Sequence, residues 1–485
     1  MELYDQFVLS RGARPHPDGW AGRTSGPWVL ATSPTLPVTP LHDAAGDVAG
    51  WLLGWVLAPG GELLHEREAL PLDAVVGADG DVEDRLYRYS GRWVCVLLGE
   101  RPRVHLDPAG SLAAVYSEQE QTLASTTTAL SFGDRALSDR HAHRTLGSGQ
   151  YHPAGVTSDP KTRRLLPNHR LDLSTWEAER HWPPSPVQRV DATDAAALQA
   201  RQDTIAAGLR EHVEALAARY RLVLPLTAGR DSRMLMAAAH RVLDRCTFAV
   251  FAYTDERRAD VAYAREVARR YGLQLRVLPL HEVDDAAARA YLERVGYDAN
   301  EGKAGDFDLA ARTLPMDHAW VTGFAGEVGR GAYWKATVIP PHPTADELLA
   351  LIRLPPDPAH RDALAAWQAQ APHQDVYELL DLAYLEHRVG CWASPQLYGA
   401  APFAVSTMPV NQRSVFTAMM ELPPPLRVRQ RPQPPAIRIN WPELADLPYE
   451  RAPGPRGWPD ALRTGAAAAR ARLALRTRAG RLLRR

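Results

Sequence analysis

Lysine is nearly missing from this chain. Lys161, Lys303 and Lys335 are the only three among 485 residues, and every other basic residue is arginine. A high-GC coding sequence is the plain explanation, yet chemistry that needs a lysine charge is left with few candidates. Cysteine is also scarce. Cys95, Cys246 and Cys391 lie far apart, which excludes a disulfide framework and a four-thiolate metal site. Charge of one sign does not dominate: the net charge is −1, so the molecule has no overall field to recruit nucleic acid or anionic membrane. Long apolar runs are missing too. Residues 48–59 form the longest near the N-terminus and are too short to span a bilayer. Residues 1–6 are acidic and hold no apolar signal region. A cytoplasmic enzyme acting on small molecules is the expectation, with no nucleic acid and no membrane span.

What is present reads as two domains. A chain of 485 residues exceeds one hydrophobic core, and its 45% hydrophobic and 23% charged content is ordinary for a globular protein. In the first part, short apolar stretches alternate with Gly, Pro and Asp turns at 50–57, 61–64, 93–98, 103–106, 112–116 and 122–125. The composition shifts at Pro183, Pro184, Ser185 and Pro186. Residues 194–220 then carry helical spacing. After them the pattern is strand, helix, strand: 222–226, a helix from Asp231, 246–253, a helix over 258–271, and 275–278. That alternation predicts a parallel sheet with helices on both faces. The boundary is placed near residue 185, giving domains 1–185 and 186–485. Residues 465–485 read as a basic terminal helix, either solvated or facing a membrane surface or an acidic partner.

The apolar strand 222–226 breaks into a turn of small residues and runs into a helix. The turn comprises Leu226, Thr227, Ala228, Gly229, Arg230, Asp231, Ser232 and Arg233. Backbone N–H groups at such a helix N-terminus can wrap a phosphate. Thr227 and Ser232 add hydroxyl donors, and Asp231 can hold a divalent metal that bridges phosphates. Asp231 could also be a plain N-cap. Arg230 and Arg233 add positive charge and either touch phosphate or sit on the helix surface. The G-x-x-x-x-G-K-[ST] spacing of a Walker loop is absent.

This turn resembles the S-G-G-x-D-S pyrophosphate loop of the ATP pyrophosphatases, with Ala228 in place of the first Gly. Three further stretches are similar to asparagine synthetase-type domains. They are residues 248–253, with Tyr253, followed by Asp260, Ala264 and the turn Tyr271-Gly272-Leu273; residues 321–334, with Gly323, Phe324 and Glu327; and residues 408–413 with Glu421-Leu422-Pro423. Residues 89–97, the turn 107–111 and residues 166–171 look like the glutaminase-type domain of that family. The resemblance covers most of the chain. It implies an N-terminal glutaminase-like (Ntn-type) antiparallel β sandwich, and a C-terminal ATP-pyrophosphatase-type parallel sheet with helices on both faces. It further implies ATP and Mg²⁺ as cofactors, with Tyr253, Asp260, Gly323 and Phe324 at the nucleotide and Asp231 and Glu327 at the metal; read by themselves, Asp260 could instead cap the next helix and Glu327 could be a surface carboxylate. The activity implied is adenylation of a carboxylate followed by amide formation. The partners implied are small-molecule or peptide carboxylates and amines, with a homodimer as a further candidate.

Three departures qualify this. Glutamine-dependent members begin with a cysteine nucleophile, whereas Glu2 follows Met1 here and Cys95 falls inside an expected strand. Glutamine hydrolysis is therefore not expected, a pattern that resembles β-lactam synthetase and its relatives. Phe324 stands where relatives carry Asp or Tyr, and phenylalanine can neither donate, accept nor bind metal. Where relatives use a lysine, residues 431–438 have none; Arg431 or Arg438 could supply a fixed positive charge, or the stretch is an ordinary proline-rich loop. On the helix expected over 376–389, Tyr377, Asp381, Tyr384 and Arg388 form a stripe. Asp381 there is either a general base facing a cleft or an ion-pair partner of Arg388. The function expected is an AMP-forming amide ligase; a catalytically weak nucleotide-binding relative and a tRNA-modifying enzyme are the alternatives.

Overall fold

The computed structural model describes residues 2–64, 67–76, 82–133, 150–252, 258–279, 281–299, 303–314, 318–334, 338–402, 404–429 and 432–447. The expected helix over 465–485, and the site candidates Tyr253 and Arg431, lie outside these residues.

The first part of the chain builds two sheets. One has six strands; at its centre Phe7–Arg11 pairs antiparallel with Trp28–Thr32 on one side and Thr122–Ala124 on the other. The second has seven, with Val48–Leu57, Ser90–Leu97 and Arg103–Leu106 running antiparallel at its middle. Strand alternation turns every second side chain to one face. Phe7, Leu9 and Leu30 of the first sheet thus share a single core with Trp51, Leu53, Val94 and Val96 of the second. The expected strand at 61–64 is only one bridge, Leu57 to Leu63, because the chain turns back on itself at Ala58 and Gly61.

The last part is a five-stranded sheet in which every neighbouring pair is parallel. Its spatial order is Gln274–Pro279, Cys246–Ala252, Arg221–Pro225, His318–Val321, Ala404–Thr407. Both faces are covered. Leu222, Leu224, Phe248 and Val250 point to the larger core, which includes Ile205 and Leu209 of the long helix Ala195–Arg219. Val223, Ala249 and Leu278 point the other way, onto Ala310, Leu314 and Ala400. Two-sided burial is why these strands read as continuous apolar runs rather than alternating ones.

That strand order contains a reversal. From Arg221–Pro225 the chain progresses outward in one direction through Cys246–Ala252 and Gln274–Pro279. It then returns to the opposite side with His318–Val321. In open parallel sheets, ligands bind beyond the carboxyl ends of the two strands that flank such a reversal. Those ends carry residues 226–231 and 322–330.

The two parts meet through buried polar contacts. Asn411 Nδ2 donates to Asp107 Oδ1 at 2.6 Å and to the carbonyl of Gly91 at 2.7 Å, and its Oδ1 accepts from the Ala109 N–H at 2.8 Å. Arg164 and Asp298 form an ion pair at 2.5 Å with both side chains 2% exposed.

Candidate functional site

The turn after strand Arg221–Pro225 leads into the helix Arg230–Ala238, whose N-cap is Gly229. Gly229 has no side chain to cap the first helical amides, and it is exposed. The hydroxyls close inward instead. Thr227 Oγ1 and Ser232 Oγ are 2.8 Å apart; Ser232 Oγ also reaches the carbonyls of Gly229 at 3.1 Å and Thr227 at 3.2 Å. Gly229 N–H donates to Thr227 Oγ1 at 3.1 Å. Asp260 belongs to this turn, since its Oδ1 accepts from Ala228 N–H at 2.9 Å. It buttresses the loop from the start of helix Arg258–Tyr271. Leu226 is buried, its N–H bound to the Ala249 carbonyl at 2.9 Å.

Opposite lies the short helical turn Gly326–Arg330, entered through Ala325 and left through Gly331, both at positive φ (73° and 61°). A left-handed alanine is uncommon and costs free energy; here two glycine-like bends bring Glu327 and Arg330 round to face Asp231. Arg330 Nη2 donates to Asp231 Oδ2 at 2.8 Å and to Glu327 Oε1 at 3.3 Å. Asp231 Oδ1 accepts from Gln433 Nε2 at 3.0 Å, and the same nitrogen reaches the Gly326 carbonyl at 3.0 Å. Gly326 allows the close approach: a Cβ there would lie 3.0 Å from Asp231 Oδ1, whereas one at Gly323 would make only an ordinary contact, 3.5 Å from Asp231 Cβ.

The electrostatics follow from this packing. Burial and the negative charge of Asp231 raise the pKa of Glu327, against the opposing pull of Arg330 and a hydrogen bond from Tyr384. Tyr384 is held well above the usual phenol range by burial and by Glu327. Burial alone would lower Arg330, but Asp231 and Glu327 outweigh it and keep the guanidinium charged.

A divalent ion shared by Asp231 and Glu327 does not fit this arrangement. Both oxygens of Asp231 already have donors, and a guanidinium stands between the two acids. Of the four oxygens of these two acids, Glu327 Oε2, a fully buried atom, is the one without a hydrogen-bond partner. Among the described residues no three His, Cys, Asp or Glu side chains come together in a way that could hold a metal.

Several expected residues are placed elsewhere. Asp381 is not a base facing a cleft. It is 2% exposed and gripped by Arg427, with Nη1 to Oδ2 at 2.6 Å and Nη2 to Oδ1 at 2.8 Å; Trp334 Nε1 adds a third bond at 3.0 Å. Arg388 is not its partner, because the α-helix Val376–Ala383 widens into a π-helix at Tyr384–Ala393. The wider turn carries Arg388 off the Asp381 face and onto the Trp392 ring, 3.5 Å from its centroid. Phe324 meets the same Trp392 edge-on, with centroids 5.5 Å apart. Arg233 is buried, donating to the Leu447 carbonyl at 2.7 Å and lying over Tyr263, so its role is to pin the helix rather than to meet phosphate. Residues 433–440 are helical, not a loop: Pro434 and Pro435 occupy the first turn, where a missing N–H costs nothing. Arg438 on that helix points to solvent, 67% exposed and 3.8 Å from Asp446. Gln433, which sequence reasoning passed over, is the residue of this helix that enters the site.

Arg427 also donates through Nη2 to the Val328 carbonyl. The pair Asp381–Arg427 therefore anchors the turn that bears Glu327 and Arg330. Arg330 itself was visible in sequence as a cation three residues after Glu327, a spacing that meets on one helical turn.

No family model matches the chain, and no curated protein matches it. Among solved structures, a glutamine-dependent NAD+ synthetase from Acinetobacter baumannii in complex with ADP is similar at 17% identity and a TM-score of 0.18, over 33% of this chain and 30% of that one. An NMN synthetase from Francisella tularensis is similar at 14% identity and a TM-score of 0.20, over 39% of this chain and 85% of that one. The chain spans about a third of the length of the first of these.

Proposed function

We propose that this protein is an ATP-dependent ligase that adenylates a carboxylate and joins it to an amine, releasing pyrophosphate and AMP. The observation that carries this reading is the uncapped N-terminus of helix Arg230–Ala238. It opens at the reversal of a parallel sheet, with Gly229 exposed and the hydroxyls of Thr227 and Ser232 converging on it. The resemblance of residues 226–233 to the pyrophosphate loop of asparagine synthetase-type enzymes supports it further.

In the first step a carboxylate oxygen attacks the α-phosphorus, and the bond to the β-phosphate oxygen breaks. The departing pyrophosphate gains charge, which the backbone amides and hydroxyls of this turn stabilise. Binding it displaces the internal bonds of Thr227 and Ser232. In the second step an amine attacks the acyl carbon, AMP leaves with the bonding pair, and the nitrogen loses a proton. The substrates are small-molecule or peptide carboxylates and amines.

Glutamine is not the nitrogen source in this reading, although the N-terminal part is taken as an Ntn-type glutaminase-like sandwich. The three cysteines are buried, and burial pushes each thiol up to about 12. A thiol so far from its thiolate is a poor nucleophile. The amine is then ammonia, a second substrate, or a group on the same molecule.

The test is pyrophosphate release from ATP with a panel of carboxylates and amines, together with transfer of ¹⁸O from labelled carboxylate into AMP. Release of orthophosphate and ADP, or AMP free of label, would overturn the proposal. One observation favours a second reading, a nucleotide-binding partner without turnover: both oxygens of Asp231 are already bound. Tight ATP binding with no pyrophosphate release under any of these substrates would single it out.

A further inference from the structure

We infer that Arg330 takes the place of a divalent cation in this site, and that a polyphosphate bound here meets a guanidinium rather than a metal held by Asp231 and Glu327. The inference rests on the nucleotide reading of the loop for its second half only; the first half concerns the protein alone.

Three observations combine. The Arg330 guanidinium bridges the two acids through one nitrogen, at 2.8 and 3.3 Å. It cannot be deprotonated in a protein, so the positive charge is permanent. Its backbone is fixed on both sides, by the left-handed Gly331 and by the grip of Arg427 on the Val328 carbonyl. The cation is thus part of the fold, where a bound ion would come and go. A divalent ion added between the acids would face this charge at contact distance, with Glu327 Oε2 the one oxygen of the two carboxylates left without a partner and the amide oxygen of Gln433 the other unpartnered oxygen nearby. Magnesium also demands near-octahedral coordination and parts with its water reluctantly, which one free carboxylate oxygen cannot offset. Any metal that arrives on a nucleotide would keep to phosphate and water oxygens. The guanidinium fork suits phosphate oxygens geometrically, and Arg330 already contacts Asp231, in the first turn of the helix that follows residues 227–229.

The test uses Mn²⁺ alone on the full chain, followed by the electron paramagnetic resonance signal of the free ion. Wild-type protein should show no site that Glu327→Gln removes. Arg330→Met should gain one Mn²⁺ site, at least about tenfold tighter than any in wild type, and the double variant with Glu327→Gln should lose it. Arg330→Gln serves in parallel if the methionine variant fails to fold by circular dichroism. A wild-type Mn²⁺ site abolished by Glu327→Gln would overturn the inference, as would folded Arg330 variants that gain no site. ATP binding by equilibrium dialysis then tests the second half. Chelating all divalent ions should change wild-type affinity by less than about threefold, and Arg330→Met affinity by more than about tenfold. A wild-type loss above tenfold would overturn it. Absence of ATP binding in both conditions would instead remove the ligase proposal, while the Mn²⁺ arm still decides the role of Arg330.

Discussion

Gly326 and Asp231 lie so close that a methyl group at Gly326 would stand 3.0 Å from Asp231 Oδ1. The backbone at Gly326 is not left-handed, so an alanine there is strained only by that contact. Gly326→Ala should push Asp231 away from Gln433 and Arg330. We expect ATP-dependent pyrophosphate release to fall by about ten- to a hundredfold, while the thermal midpoint moves by only a few degrees. An unchanged rate would mean that the position of Asp231 does not matter to the reaction.

The buried pair of Asp381 and Arg427 should behave as an anchor. Asp381→Asn leaves Arg427 charged and enclosed without a counter-ion, which costs about 3–5 kcal/mol. Chemical denaturation should show that loss. Replacing both residues, as Asp381→Leu with Arg427→Met, should recover part of the stability but still loosen the Val328 turn, so activity should stay low.

Stability should fall as pH drops below about 6.5. Burial lowers His212 to about 4, and His105 and His387 to about 3. These rings stay neutral in the fold but take up protons in the unfolded chain below the ordinary value of 6.5, so the unfolded state binds more protons and gains as acid is added. Glu386 acts in the same direction at lower pH. Burial would raise it, but Arg180 outweighs that and holds it at about 2, so its contribution is present above 4.5 and is lost as pH falls toward 2. Asp5 works against both, since burial raises it to about 6 despite Arg92. His212 bonds Ser90 and Thr407 through its two nitrogens, and glutamine can offer one donor and one acceptor in their place. His212→Gln should therefore flatten the slope of unfolding free energy between pH 6 and 5 by about one proton, or about 1.4 kcal/mol per pH unit.

Arg438→Ala should leave turnover within about twofold of wild type and stability within about 0.5 kcal/mol. Its guanidinium is largely in water, and Asp446, its ion-pair partner among the described residues, is exposed as well. A large loss of activity would restore Arg438 as a candidate for transition-state charge.

The parallel sheet was legible because its strands are buried on both faces: Leu222, Val223 and Leu224 form one apolar run, and so do residues 246–252. The N-terminal strands were harder. Ala21–Ser25 is an exposed edge strand of small and polar residues, and its pairing with Trp28–Thr32 supplies what its own pattern does not. At the site, the local signal around Asp231 was readable, since a turn and its helix are written in consecutive residues. The partners of that turn were not. Arg330 and Gln433 lie 99 and 202 residues away, and only the folded sheet brings them to Asp231. Asp381 was misassigned because seven residues at α-helical pitch would align it with Arg388, and nothing local announces that the helix widens after Ala383.

The side chain of Asn411 places three of its hydrogen bonds on groups 300 or more residues earlier in the chain. A cut between the halves would strand these polar atoms in apolar surroundings on one side and open a wet seam on the other. The C-terminal half cannot shed the N-terminal half without losing its own floor. An attempt to express residues 186–485 alone should yield aggregated protein rather than a smaller enzyme.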